Sequence, residues 1–342
     1  MTFPGPTVLD GDAPEHPARP LQSGAAGPQR HRRVQLLDRF ELESGEVLRH
    51  VEQAYFLDGT LNDARDNLVV VFHALTGSAD AVGDWWRDVV GPGRAIDTNH
   101  FAVLCTNLLG SCYGTTGPSD PARRPFPDVT TRDMARLVGE LVEWLQVPSV
   151  ALATGGSLGG MVAQEMALDR PSIFRRMILA ATAPRGGEDI MHLEKTSLAK
   201  HFGNPELKGY AILQKIFFAP TASSQAAGEA FVGRLMQRKE DRDAVSGPEV
   251  AGAQMAAFRE WARVNGERFA SLKDVRQPTL VFNGVHDEMI PVRNSYWLSE
   301  NLPNAALLTF PDSGHGSIFQ FSQAFTRHAT AFLAADGPFA PY

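Results

Sequence analysis

Continuous apolar runs that end in short polar turns are the feature that most restricts the fold of this 342-residue chain. A strand buried on both faces has such a sequence, because neither of its alternating sets of side chains meets water. Amphipathic helical patterns separate the runs, and strands that alternate with helices form a parallel sheet with right-handed crossovers. In chain order the runs are NLVVVFHALTG, FAVLCTNLLG, SVALATGGS, MILAATAP, PTLVFNGVHDEMIP and AALLTFPDSGHGS. We therefore predict an α/β fold with a mostly parallel central sheet flanked by helices.

The chain divides into three kinds of segment. Residues 1–33 contain six prolines and four glycines, and we predict a disordered leader there. Residues 34–183 and 274–342 carry the strand and helix alternation of the core, which begins with an antiparallel hairpin. Between them, residues 184–273 contain helical patterns and no buried strand. We predict that this insertion is a helical lid.

Composition excludes several classes of function. The formal net charge of −7 argues against a nucleic-acid-binding surface. No apolar run is long enough to cross a bilayer, so we expect no membrane partner. The chain has two cysteines, which are too few for a disulfide framework or a zinc site. We expect a cytoplasmic protein without a bound metal.

A glycine-rich turn places a serine between a buried strand and a helical pattern. Residues 155–159 read GGSLG, the G-x-S-x-G pattern in which a nucleophilic serine is held on a sharp strand-to-helix turn. Gly155 and Gly159 lack side chains and permit the cramped backbone, while Ser157 presents its hydroxyl at the carboxyl edge of the sheet. A phosphate-binding turn is the alternative for such a glycine-rich segment. The motif alone does not separate the two.

Two later residues supply the partners that a serine nucleophile needs. A serine hydroxyl is activated by a histidine base, which a carboxylate orients, and in this fold class the acid precedes the histidine along the chain. Asp287 follows one predicted strand and His315 follows the next. Asp312 is a rival acid, although it shares a short turn with the histidine. We predict a triad of Ser157, Asp287 and His315.

Other polar residues near these strand ends have simpler interpretations. We predict that the backbone N–H groups of Leu158 and Leu75 form an oxyanion hole, because one donor follows the serine and the other follows an earlier strand. His73 then ties down the second loop by hydrogen bonding. His286 and Asp287 alone are not a metal-ligand set, and Cys112 lacks a cysteine-nucleophile motif.

Three sequence blocks resemble the α/β-hydrolase superfamily and, within it, the homoserine O-acetyltransferase family. They are HALTGSAD followed by WW, then GPGRAIDTNHFAVLCTNLLGSCYGTTGPSD, then GGSLGGMVAQE. The resemblance covers roughly residues 34–335, and its most specific part is the long middle block. It implies that Ser157 takes an acetyl group from acetyl-CoA and passes it to a small hydroxy amino acid, homoserine, in methionine biosynthesis. It also implies a cytoplasmic homodimer assembled through the lid helices, with acetyl-CoA as a substrate and no bound cofactor.

The chain departs from that family at the acceptor side. The catalytic histidine is typically followed there by an acidic residue that helps to hold the substrate ammonium, whereas this chain has Gly316. Homoserine, serine, another small alcohol or water therefore all stay open as acceptors, and acetyl or succinyl as the transferred group. A serine esterase of the same fold is the alternative function.

One basic helix of the lid is a candidate for the phosphates of CoA. Its basic residues are Arg234, Arg238, Lys239 and Arg242. Of these we single out Arg234 as a substrate-binding candidate, although a charged helix face is often only solvated.

Overall fold

The computed structural model describes residues 7–8, 31–190, 192–201, 204, 206–207, 209–237 and 246–335. Within these residues nine strands form one sheet. The strands are β1 (Thr7–Val8), β2 (His31–Glu41), β3 (Val47–Asp58), β4 (Leu68–Phe72), β5 (Ala102–Thr106), β6 (Val150–Gly156), β7 (Met177–Ala180), β8 (Thr279–Gly284) and β9 (Ala305–Phe310). Their order in the sheet is β1-β2-β3-β5-β4-β6-β7-β8-β9.

The six strands from β5 across to β9 run parallel, as the apolar runs predicted. Strand β4 is buried along its whole length, with Leu68, Val70 and Phe72 in one apolar cluster and Val69 and Val71 in another on the opposite face. Register brings the carboxyl ends of these strands to one edge, since Phe72 pairs with Gly155 and the last residue of β8 pairs with the last of β9. Ligands bind at this edge in open parallel sheets.

Eight α-helices accompany the sheet in the described residues. They are α1 (Thr131–Trp144), α2 (Leu158–Asp169), α3 (Ala211–Phe217), α4 (Ala222–Leu235), α5 (Pro248–Trp261), α6 (Arg293–Asn301), α7 (Ser317–Gln320) and α8 (Ser322–Ala334). Helix α1 begins with a reciprocal capping box, in which Thr130 accepts from the N–H of Asp133 and the Asp133 carboxylate accepts from the N–H of Thr130. Among the residues described, none of the helices has the length and apolar character needed to span a bilayer.

The N-terminal hairpin is longer than the sequence predicted. Strand β2 begins at His31, so residues 31–33 belong to the sheet rather than to the leader, and the predicted boundary at residue 33 is wrong. The reason is pairing, because His31 and Arg33 lie opposite Phe56 and Ala54 of β3. Strand β1 pairs with β2 as well, while residues 1–6 and 9–30 of the predicted leader lie outside the described residues.

The insertion between β7 and β8 contains helices and no strand among its described residues. Helices α3 and α4 share a separate apolar cluster, whereas α5 packs into the main core through Ala257, Phe258 and Trp261. The helical pattern MHLEKTSLAKHFG, residues 191–203, does not form an α-helix in its described part, residues 192–201, where the structure has two short 3-10 helices. Side chains take up the backbone donors instead, because Thr196 accepts from the N–H of Leu198 and Glu288 accepts from the N–H of Ser197.

Candidate active site

Ser157 stands on a strained turn between β6 and α2. Its backbone has φ 55° and ψ −124°, a region that side chains other than glycine rarely adopt. Two hydrogen bonds hold this backbone, because the Ser157 N–H donates to the carbonyl of Ala180 at 3.0 Å and Thr182 Oγ1 donates to the carbonyl of Ser157 at 2.7 Å. Strain that the surroundings enforce in this way is typical of catalytic positions.

The glycines around this serine are required by close packing. A Cβ on Gly155 would overlap the backbone of Gly159, and a Cβ on Gly159 would overlap the carbonyl of Phe72. Helix α2 therefore approaches strands β4 and β6 at distances that only glycine permits. This close packing explains why both flanking positions of the G-x-S-x-G pattern are glycine, as the sequence predicted.

Asp287 and His315 form a buried pair at the ends of β8 and β9. The Nδ1 atom of His315 lies 2.8 Å from Oδ2 of Asp287. The other carboxylate oxygen, Oδ1, accepts from the N–H groups of Met289 and Ile290 at 2.9 and 3.0 Å. These bonds fix the carboxylate, which in turn assigns the proton to Nδ1 of His315 and leaves Nε2 as the basic atom.

Ser157 and His315 line the same pocket at the carboxyl edge of the sheet. None of the described residues that line it is Asp, Glu, Lys or Arg. Its apolar wall consists of Trp85, Trp86, Ala180, Ala181, Phe217, Ile318 and Phe319. A hydroxyl and an imidazole thus line one pocket with an apolar wall, and such a setting strengthens the hydrogen bonds and charge interactions formed within it.

The lid packs directly onto the histidine loop through Phe217. The Phe217 ring lies edge-on to the His315 imidazole with a centroid separation of 5.3 Å. The N–H of Gly316 donates to the carbonyl of Phe217 at 2.7 Å, and a Cβ on Gly316 would lie 3.1 Å from the Cβ of Phe217. There is little room for a side chain after the histidine. Sequence reasoning missed Phe217, although the glycines at 314 and 316 were a sign of close backbone approach.

The two predicted oxyanion donors lie beside this pocket. Leu158 is the first residue of α2, so its N–H has no partner within the helix. Leu75 lies in the turn after β4, next to Ala74, which lines the pocket. The assignment of both N–H groups to an oxyanion hole stays a prediction.

His73 anchors the loop that carries Leu75, as predicted. Its Nε2 accepts from the N–H of Leu108 at 3.0 Å, and its Nδ1 donates to the carbonyl of Ala74 at 2.8 Å. Burial lowers the pKa of His73 to about 4, because the charged imidazolium would lose its solvation. The imidazole is therefore neutral at pH 7, and both of its nitrogens are used in holding the backbone.

Residues 67–322 match a family model described as alpha/beta hydrolase fold. The chain belongs to the alpha/beta hydrolase family. Its parallel sheet, the strained serine turn after β6 and the acid and histidine after β8 and β9 agree with that assignment.

Curated relatives of this alpha/beta hydrolase cover part of its length. The homoserine O-acetyltransferase of Trichormus variabilis is 42% identical over 177 residues, which are 50% of this chain and 49% of the relative. The chain thus spans about half the length of the curated relatives it matches.

Solved structures match over most of the chain. An alpha/beta hydrolase fold protein from Chitinophaga pinensis has a TM-score of 0.68 and 26% identity, and the match covers 87% of this chain and 96% of the other. The homoserine O-acetyltransferase of Bacillus anthracis has a TM-score of 0.67 and 22% identity, with 89% and 97% covered. The second likeness is informative about the fold alone.

Arg234 is engaged elsewhere in this alpha/beta hydrolase. Its guanidinium lies 2.7 Å from a carboxylate oxygen of Asp88 and 5.2 Å from the centroid of the Phe231 ring. It is not among the residues that line the pocket beside Ser157. Arg238, Lys239 and Arg242 lie outside the described residues.

The remaining candidates have structural partners. Asp312, the rival acid, accepts from the hydroxyls of Thr221 and Ser223 in the lid, and these hydrogen bonds lower its pKa. Both cysteines are free and buried, and burial raises the pKa of Cys105. Among the described residues there is no group of three or more potential metal ligands.

Proposed function

We propose that this protein is an acyl-CoA-dependent O-acyltransferase that moves an acetyl group from acetyl-CoA to homoserine, in methionine biosynthesis. The proposal rests mainly on the buried Asp287–His315 pair, whose histidine lines one apolar pocket together with the strained Ser157. The acyl donor and the acceptor are proposed from the likeness to homoserine O-acetyltransferases.

The first half-reaction acylates the serine. Nε2 of His315 takes the proton of the Ser157 hydroxyl while Oγ attacks the thioester carbonyl of acetyl-CoA. The carbonyl oxygen becomes an oxyanion, which the N–H groups of Leu75 and Leu158 stabilise by hydrogen bonding. The carbon–sulfur bond then breaks and the proton on Nε2 passes to the leaving sulfur, so that CoA departs as the thiol and His315 is neutral again.

The second half-reaction transfers the acetyl group. The homoserine hydroxyl loses its proton to His315 as it attacks the acyl-enzyme, and the ester bond to Ser157 breaks as Oγ regains a proton. Asp287 keeps the imidazole oriented and stabilises its charged form in both steps. The lid, through Phe217 and the aromatic wall, excludes water that would hydrolyse the acyl-enzyme.

Release of CoA with and without an alcohol tests the proposal. Purified protein with acetyl-CoA and a thiol-reactive chromophore reports each CoA set free, and both cysteines of the chain are buried. We expect release to depend on homoserine and O-acetylhomoserine to accumulate in equal amount. Equal release with and without homoserine would contradict transfer.

A serine esterase is the second candidate, because the described lining of the pocket lacks charged side chains. Homoserine carries an ammonium and a carboxylate, and buried charges require partners. The described residues that line the pocket include no Asp, Glu, Lys or Arg, and Phe217 packs where an acidic side chain after His315 would stand. Hydrolysis of neutral acetyl esters at a rate that homoserine does not change would establish this candidate.

We also propose, from the resemblance of the sequence to the homoserine O-acetyltransferase family, that the protein is a cytoplasmic homodimer assembled through its lid helices and without a bound cofactor. Sedimentation of the purified chain measures the association. A monomer at micromolar concentration would contradict the dimer.

A further inference from the structure

The loop that carries Leu75 contains a turn in an unusual conformation. The N–H of Gly77 donates to the carbonyl of Ala74 at 2.9 Å, which closes a four-residue turn. Its third residue, Thr76, has φ 54°. Turns with a positive φ at this position favour glycine or asparagine, and a β-branched residue there is strained. Something outside the turn must therefore stabilise it.

Side chains hold both ends of the peptide group between Leu75 and Thr76. Its N–H donates to Oε1 of Gln254 at 2.6 Å. Its carbonyl accepts from Oγ1 of Thr76 at 2.7 Å. The orientation of this central peptide distinguishes the turn with positive φ from the common turn without it. A flip of the peptide would break both hydrogen bonds.

Gln254 reaches this loop from α5, 178 residues later in the chain. Its side chain is fully buried, and α5 is fixed in the main core by Ala257, Phe258 and Trp261. Nε2 of Gln254 has no hydrogen-bond partner among the described residues. Turning the amide round would set Nε2 against the N–H of Thr76, donor against donor, so Oε1 must face the loop. The side chain thus serves the loop as an acceptor.

We infer that Gln254 is a positioning residue for the oxyanion hole. It engages the N–H of Thr76 and holds the turn so that the preceding N–H, that of Leu75, stays directed at the substrate oxygen. The inference rests on the proposed acyl transfer through Ser157, and it applies whether an alcohol or water accepts the acyl group. It also makes α5 a fixed support of the site, in contrast to α3 and α4, which share a separate cluster above the pocket.

Two variants of Gln254, one variant of Thr76 and one control variant at Gln277 test the role. Gln254→Met keeps the length of the side chain and removes the acceptor, whereas Gln254→Glu keeps an acceptor oxygen. Gln277→Met is the control, since Gln277 is also buried but donates to the carbonyl of Pro171, at the opposite end of the sheet's strands from the pocket. Thr76→Val replaces the hydroxyl of an exposed residue with a methyl group of similar size and so avoids a buried change.

The measurements are turnover of p-nitrophenyl acetate and affinity for an alkyl boronic acid, whose tetrahedral adduct on Ser157 places an oxygen in the oxyanion hole. Loss of one oxyanion donor costs about 100- to 1000-fold in kcat, so partial misplacement should cost about 10-fold. We expect Gln254→Met to lose about this factor in kcat and in boronic acid affinity with little change in KM, Gln254→Glu to recover most of it, and Gln277→Met to match wild type. Thr76→Val should lose a smaller factor in the same two quantities.

Wild-type boronic acid affinity in both folded Gln254→Met and Thr76→Val would overturn the inference. If Gln254→Met does not fold, wild-type affinity in Thr76→Val alone would overturn it. Failure of the proposed function has another signature. If the wild-type protein hydrolyses the ester but does not acetylate homoserine, the proposed acceptor is wrong. The Gln254 variants can still be compared by their hydrolysis of the ester.

Discussion

Oδ2 of Asp287 lies 2.8 Å from Nδ1 of His315, although 28 residues separate the two in the chain. The parallel register of β8 and β9 brings them together, because the two strands end side by side and each residue follows one of them. The second oxygen of Asp287 is taken by two backbone N–H groups. Oδ2 is therefore the oxygen that bonds to the imidazole and orients its ring.

Asp287→Asn tests this orienting role. The amide has the shape of the carboxylate, but it stabilises the charged imidazole poorly and its NH₂ group favours the wrong tautomer. By analogy with the same change in a serine protease triad, we expect kcat for p-nitrophenyl acetate to fall about 10⁴-fold with the fold intact. Circular dichroism and steady-state kinetics measure the two quantities.

Asp312→Asn is the matched control for that variant. Asp312 is three residues from His315 in the chain, but its carboxylate bonds to Thr221 and Ser223 of the lid. We expect its loss to change kcat by a few-fold at most. If the two variants lose activity equally, Asp287 is not the orienting acid.

Gly316→Ala tests the close contact between the lid and the histidine loop. The added methyl group would lie 3.1 Å from the Cβ of Phe217 and 3.2 Å from its carbonyl oxygen. Overpacking of this kind costs about 1–3 kcal/mol in the free energy of unfolding. We expect a stability loss in this range in urea unfolding and a lower kcat/KM, since Phe217 must move from its place against His315.

Gly233→Ala is the comparison for Gly316→Ala. Gly233 lies in α4, and a Cβ there would meet no atom within 4 Å. Alanine is favoured over glycine in a helix interior by up to about 1 kcal/mol, so this variant should be as stable as wild type or more stable. A Gly316→Ala protein with unchanged stability and kinetics would show that the lid contact is loose.

His73 should make the protein less stable in mild acid. Burial lowers its pKa from 6.5 to about 4, so the unfolded chain binds a proton at a pH where the native imidazole does not. The free energy of unfolding therefore has its full value, as far as His73 is concerned, above pH 6.5 and falls as the pH is lowered towards 4. The loss is at most roughly 3 kcal/mol. Urea unfolding at pH 7.5 and pH 5 measures the loss.

His73→Gln removes this titration and should flatten the difference between the two pH values. Replacement of the exposed His328 by glutamine is the control and should leave the wild-type slope in place. If the free energy of unfolding of His73→Gln still falls between pH 7.5 and pH 5 as in wild type, other groups cause the acid sensitivity.

Local patterns were sufficient to predict the elements that place the site. Continuous apolar runs specify strands buried on both faces, and the spacing of apolar residues from Thr131 specifies α1. The triad residues followed from turn chemistry and chain order, since each stands directly after a strand of the same sheet. The geometry of Asp287 and His315 agrees with that prediction, while the catalytic roles await experiment.

Contacts between distant segments could not be predicted in this way. Gln254 and Thr76 are 178 residues apart, and no periodicity relates them. The basic residues around Arg234 in the sequence indicate a charged helix face, yet the guanidinium of Arg234 is paired with Asp88. Such pairings depend on how the lid packs onto the core, and that packing is a property of the tertiary structure.

Acetylation of Ser157 tests directly whether this serine is the nucleophile of an acyl transfer. Protein quenched in acid within the first turnover of acetyl-CoA, without an acceptor, is digested and analysed by mass spectrometry. We predict one acetyl group on the peptide that contains Ser157, lost when homoserine is added before the quench and absent from Ser157→Ala. Wild-type turnover in Ser157→Ala, or acetyl on another residue that homoserine also discharges, would contradict it.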